Sequence, residues 1–220
     1  MSPSNHTTAS QDEEGPQDPL EYERGFWRRG IIDVAGVDEV GRGPLAGPVI
    51  AVAVVLHPGR WIEGAADSKT LSPKVRSALY DQIIAQVRFF AIGAASAREI
   101  DRVNILRATA LAMERAVRSL PRRPRHLVVD GLPVKDLPIP HEAVVGGDGI
   151  IHSIACASIV AKVVRDRLMC RLAARYPRYR WDSNMGYGTP DHLRALSKWG
   201  PSPHHRLTFG ASQMDLELEG

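Results

Sequence analysis

The 220-residue chain is poor in several features that would place a protein at once, and each shortage excludes something. It has two cysteines, Cys156 and Cys170, in one apolar segment, with no Cys-x-x-Cys and no histidine pair at metal spacing. That argues against a disulfide framework or a zinc site and predicts two buried, reduced thiols. No uncharged apolar run approaches the roughly 18 residues of a membrane span, so no membrane is expected. The start, "MSPSNHTTASQ", has no basic region leading into an apolar core, which predicts a cytoplasmic protein without a secretory signal. Internal repeats are missing too. A large excess of charge is also lacking: 28 Lys+Arg against 25 Asp+Glu give +3. The pI near 9.0 still leaves room for a basic face against an acidic partner, which composition does not identify.

What is there reads as one domain with tails, since one core commonly organises about 100–200 residues. Residues 1–30 form a polar extension with a disorder signature up to about residue 18, then a short amphipathic segment (Leu20, Tyr22, Phe26, Trp27) suited to docking on the body. Residues 31–210 form that body and 211–220 a tail. "IIDVAGVD", "VIAVAVVL" and "VRFFAIGAA" are Val/Ile-rich strand signals, and "HLVVD" and "EAVVGGD" are two more. Ser72 with Pro73 starts a helix whose apolar face is Val75, Leu79 and Ile83. Ser96 and Glu99 have capping-box spacing ahead of a stripe of Leu106, Ala110, Met113 and Val117. A helix over 153–176 is apolar all round in its first half, and Thr189-Pro190 opens a last helix stopped by Gly200-Pro201. The expected class is α/β with a mixed sheet.

The chemistry-bearing signal is carboxylate placement. Asp38 and Glu39 interrupt an apolar strand, Asp130 ends another, and Asp148 ends the "VVGGD" segment. If those strands are neighbours the four acids converge, and like charges so close need a counter-ion. An all-oxygen set favours Mg²⁺ or Mn²⁺ and suits two-metal phosphoryl chemistry. Spacing alone leaves that reading level with structural ion pairing.

Gly41-Arg42-Gly43 follows the acids. A hairpin turn accounts for the glycines, but an Arg beside two carboxylates is placed for bidentate contact with a phosphate. Tyr187, between two glycines before a helix, is placed to stack on a sugar or base, although a buried Tyr is commoner. Lys69, Lys162, Arg165 and the His204–Arg206 stretch are candidate phosphate contacts or plain solvated charges.

Together "AGVDEVGRGPLAGPV", "DSKTLSPKVR", "EIDRVNILRATALAM", "VDGLP" and "GYGTPDHLRALSKWGPSPHHRLTF" resemble bacterial ribonuclease HII over about residues 31–210. The resemblance implies a ribonuclease H-like fold, a five-stranded mixed sheet with flanking helices and a C-terminal helical part. It implies endonucleolytic hydrolysis of RNA in RNA–DNA hybrids and 5′ of single ribonucleotides in duplex DNA, leaving 3′-OH and 5′-phosphate ends. It assigns Asp38, Glu39, Asp130 and Asp148 to a site for two Mn²⁺ or Mg²⁺ ions, and Gly41, Arg42, Gly43 and Tyr187 to the substrate, with Lys69 kept beside them as an expected substrate contact. A monomer is expected, with a sliding clamp as a partner the sequence does not show. A hybrid-only ribonuclease and a non-catalytic nucleic-acid-binding module are the competing readings. Cys156 and Val164 depart from the family pattern as changes of helix packing, and "HHRLTF" departs in the tail.

Overall fold

The computed structural model describes residues 18–65, 71–135 and 137–209. Its centre is a five-stranded sheet in the order β3-β2-β1-β4-β5, with β1 Val34–Val40, β2 Val49–Val55, β3 Phe89–Ala95, β4 His126–Asp130 and β5 His141–Val144. The first three strands pair antiparallel, while β4 and β5 join β1 in parallel, so the sheet is mixed as expected. β2, "VIAVAVV", is buried at every position. Its Val49, Ala51, Ala53 and Val55 enter one core, and Ile50, Val52 and Val54 enter the other. The period-two alternation of a strand thus serves two apolar faces at once.

Helix α3 (Ala97–Arg118) covers the first face, and α2 (Pro73–Gln86) with α4 (His152–Arg175) covers the second. Gly36 is required by this packing, because a Cβ there would lie 2.4 Å from the Ser153 carbonyl carbon. The start of α4 therefore rests directly on β1, beside the two acids.

Local signals set most helix ends. Ser72 accepts from the Val75 N–H with Pro73 in the first turn, and Ser96 and Glu99 form both bonds of a capping box. After the one-turn α5 (Trp181–Asn184), Thr189 accepts from the His192 N–H at the start of α6 (Pro190–Trp199), and Gly200 at φ +70° ends it. Two apolar stripes needed correction. Val75 is exposed, and α2 buries Leu79 and Ile83. Leu106 is also exposed; it lies in the first turn after α3 breaks at Asn104 (φ 67°). The Asn104 carboxamide accepts from the Arg107 N–H and caps a new helical segment, whose register buries Ala108, Ala112, Met113 and Val117.

Residues 18–30 contribute α1 (Glu21–Arg28), docked through buried Leu20 and Phe26, the latter 4.8 Å from the His126 ring. Glu23, buried on α1, accepts from the Ser153 N–H at 2.7 Å. It caps α4, whose own N-cap residue Ile151 supplies no side-chain bond. Cys156 is buried as expected, but Cys170 is exposed; both are free thiols. No helix among the described residues is long and apolar enough to cross a membrane.

Candidate active site

The parallel pairing of β1 and β4 decides which acids meet. Its register runs from Val34–His126 to Val37–Val129, so the next step sets Asp38 beside Asp130. Asp38, inside β1, is 6% exposed, and its carboxylate accepts from the Glu39 N–H at 2.7 Å. Burial, then the charges of Glu39 and Asp130, push its pKa up to about 8, against a hydrogen bond from Ser158. Burial also raises Glu39, opposed by Arg42, whose guanidinium lies 3.3 Å from the Glu39 carboxylate.

Asp130 accepts from the Gly147 N–H at 2.7 Å. Asp148 is buried but does not end a strand: it lies in a 3-10 turn, Gly147–Gly149, beyond the end of β5. The structure thus brings together Asp38, Glu39 and Asp130 and sets Asp148 in the adjoining turn. Among the described residues, no group of three or more His, Cys, Asp or Glu stands in metal-holding geometry. Asp38 and Asp130 are turned to backbone N–H groups and Glu39 to Arg42.

The chemistry of the donors nevertheless fits a hard divalent cation. The set is all oxygen, and a carboxyl held near pKa 8 by burial and neighbouring charge is what a cation would relieve. Arg42, expected as a phosphate contact, pairs with Glu39 while remaining half exposed.

The loop after β1 lies over two buried guanidiniums. Arg165 donates to the carbonyls of Pro48, Met185 and Ala46, and Arg206 donates to those of Gly41, Arg42 and Gly47. Both had been candidate phosphate contacts or solvated charges, and neither is: each is fully enclosed and turned to protein carbonyls. Gly41 (φ +92°) is needed for this, since a Cβ would come 2.2 Å from Arg165 Nε. Gly43 differs, being exposed, with the Tyr187 ring 3.8 Å from where its Cβ would be. Gly43 is thus open on its outer side, whereas Gly41 is packed against protein.

Tyr187 is 46% exposed, ahead of α6 as expected. Its carbonyl accepts from His192 Nδ1, while His192 Nε2 accepts from Trp181 Nε1 and from His205 Nε2 at 3.0 Å. The Ser202 N–H donates to His205 Nδ1, which fixes that tautomer. Burial lowers both imidazoles, with His205 pushed down to about 4, so both are neutral. His205 is thus also no phosphate contact, and Lys162 pairs with Asp166 at 2.7 Å. Lys69 lies outside the described residues.

Sequence reasoning missed this supporting layer, although a signal existed. Ala157, Ala161, Arg165, Met169 and Ala173 recur every four residues and are all buried, so the arginine sits in an apolar stripe.

The ribonuclease HII family profile matches residues 35–211. A ribonuclease HII of a Bradyrhizobium species is 54% identical over 187 residues, which span 85% of this chain and 64% of that protein. One from Burkholderia thailandensis is 53% identical over 185 residues, spanning 84% of this chain and 86% of its own. The solved ribonuclease H2 of Pyrococcus horikoshii superposes with a TM-score of 0.68 at 27% identity, covering 80% of this chain and 92% of its own. Sheet order, helix placement and these matches agree on a ribonuclease H-like fold, and the chain belongs to the ribonuclease HII family of nucleic-acid hydrolases.

Proposed function

We propose that the chain is a metal-dependent, cytoplasmic endoribonuclease that hydrolyses RNA in RNA–DNA hybrids and cuts 5′ of single ribonucleotides in duplex DNA, leaving 3′-OH and 5′-phosphate ends. The observation that carries this reading is adjacency: a buried acid group in mutual repulsion stands one turn from an exposed glycine packed by an exposed tyrosine. In this reading Asp38, Glu39, Asp130 and Asp148 hold Mg²⁺ or Mn²⁺. When bound, such ions supply an activated water and stabilise the departing oxygen.

The chain's own part is recognition and placement. The exposed edge of Gly43 admits a ribose, where a peptide N–H reads the 2′-hydroxyl that separates RNA from DNA. Tyr187 offers a ring face to the neighbouring sugar. Arg42, half exposed, keeps Glu39 oriented and offers remaining donors to a phosphate. Lys69 remains a proposed phosphate contact. The working form is a monomer in this reading, with a sliding clamp as the protein partner a tail would engage.

A labelled DNA duplex carrying one ribonucleotide, incubated with Mg²⁺ or Mn²⁺ and then with chelator, tests this. The expected result is a cut 5′ of the ribonucleotide that chelation abolishes. Cleavage of a continuous hybrid alone removes the junction reading, and binding without cleavage of either substrate removes the enzymatic one.

A further inference from the structure

Arg206 is 2% exposed, and its charge faces neutral carbonyls rather than a paired carboxylate among the hydrogen bonds it makes. Nη2 donates to the Gly41 carbonyl at 2.5 Å and Nη1 to the Arg42 carbonyl at 2.7 Å. Nε and Nη2 both reach the Gly47 carbonyl, at 3.0 and 2.9 Å. The guanidinium also lies 5.0 Å over the Phe209 ring. Just beyond it, Asp101 accepts from the Leu207 and Thr208 N–H groups and from the Thr208 hydroxyl. The cation is thus gripped by a ring, a pinned segment and three carbonyls.

Peptide geometry gives this grip a direction. The described chain has no cis bond, and a trans peptide points its N–H opposite to its C=O. With the Gly41 and Arg42 carbonyls aimed down at Arg206, the N–H groups of Arg42 and Gly43 are aimed up, toward the exposed side of the loop. A cation bound to a carbonyl also polarises the same peptide, which strengthens its N–H as a donor.

We propose that Arg206 is a positioning residue for ribose recognition: it aims and polarises the N–H groups of Arg42 and Gly43 toward the 2′-hydroxyl of a ribonucleotide. This deepens the function proposed above and rests on it. Lysine cannot replace the arginine, because one ammonium on a flexible stem lacks the planar fork that reaches three carbonyls together.

The test has two parts. Wild-type protein with Mn²⁺ is first assayed on the single-ribonucleotide duplex and on a continuous hybrid; no cleavage of the former overturns the underlying reading. With cleavage established, Arg206→Lys is compared with wild type for binding, in the presence of chelator, to the single-ribonucleotide duplex and to the all-DNA duplex of the same sequence, which lacks only the 2′-hydroxyl. Loss of a charge-assisted bond network predicts that the preference for the ribonucleotide-containing duplex over the all-DNA duplex falls about tenfold, with free guanidinium partly rescuing Arg206→Ala. Equal losses of affinity for the two duplexes would mean that Arg206 is structural only and would overturn the proposal. Where the variants fold poorly, NMR of the wild-type protein decides. Amide protons of Arg42 and Gly43 shifted downfield of other exposed amides support the proposal, and random-coil values overturn it.

Discussion

Two buried charged regions lie one turn apart and handle the same desolvation problem in opposite ways. At the acid end, Asp38 is buried among other carboxylates, and burial and repulsion drive it toward the neutral form. At the loop, Arg206 is buried as deeply beside Arg165, yet its three guanidinium nitrogens all find carbonyls. Burial and that second guanidinium lower its pKa to about 9, which still leaves it charged at neutral pH. The cations are complete within the protein, whereas the acids remain short of compensating positive charge. A region finished by its own backbone is built to hold shape, and one left in repulsion is suited to binding something from outside.

The largest effect expected from breaking this contrast is at the acids. Asp130→Asn should lower kcat by about a thousandfold or more, because losing a ligand to the reacting charge removes several kcal/mol of transition-state stabilisation. Its unfolding midpoint in the absence of metal should not fall, since the change removes a repelling charge. A variant that retains turnover would show that the acids serve structure alone.

The next effect separates two glycines of one motif. Gly41→Ala places a methyl against Arg165 at a φ that side chains rarely adopt, and should destabilise the fold by about 3 kcal/mol. Gly43→Ala meets only the Tyr187 ring at contact distance and should change stability by about 0.5 kcal/mol or less, while impairing cleavage at a single ribonucleotide. Denaturant unfolding beside the two-substrate assay reads both. Similar stability losses would erase the distinction between a glycine needed for packing and one needed for access.

A smaller effect concerns pH. His205 and His152 are pushed down to about 4 and His192 is lowered, all mainly by burial. Below the unfolded value near 6.5 the unfolded chain binds more protons than the folded one. Stability from these groups is therefore present above about pH 6.5 and lost as pH falls toward 4. Unfolding midpoints at constant ionic strength should drop over that window, and His205→Gln should flatten the drop. The smallest effect is at Arg42→Ala, where a partly exposed pair with Glu39 contributes about 1 kcal/mol or less.

How far the sequence could be read depended on the distance over which each feature is decided. Ser72, the Ser96–Glu99 box and Thr189 were legible because a cap closes within one turn. The strand runs were legible because alternation and β-branching are local properties. The stripe through Leu106 was misread because Leu106 falls in the first turn after the break at Asn104, and apolar spacing does not report a change of φ. Arg165 and Arg206 were misread for a related reason. Arginine is usually solvated, and the carbonyls that enclose these two lie up to 165 residues away.

By itself the sequence determined the mixed α/β class, the helix starts, the resemblance to ribonuclease HII and the candidate acids. Only the tertiary structure decided that parallel pairing of β1 and β4 puts Asp38 beside Asp130 while Asp148 waits in a turn. It alone set one glycine of the motif against a buried cation and left the other open to solvent. The physical reason is that charge and hydrogen-bonding capacity are written residue by residue, but burial is not. Whether a carboxylate is raised to about 8 or an arginine becomes part of the scaffold depends on neighbours that chain folding brings from far away.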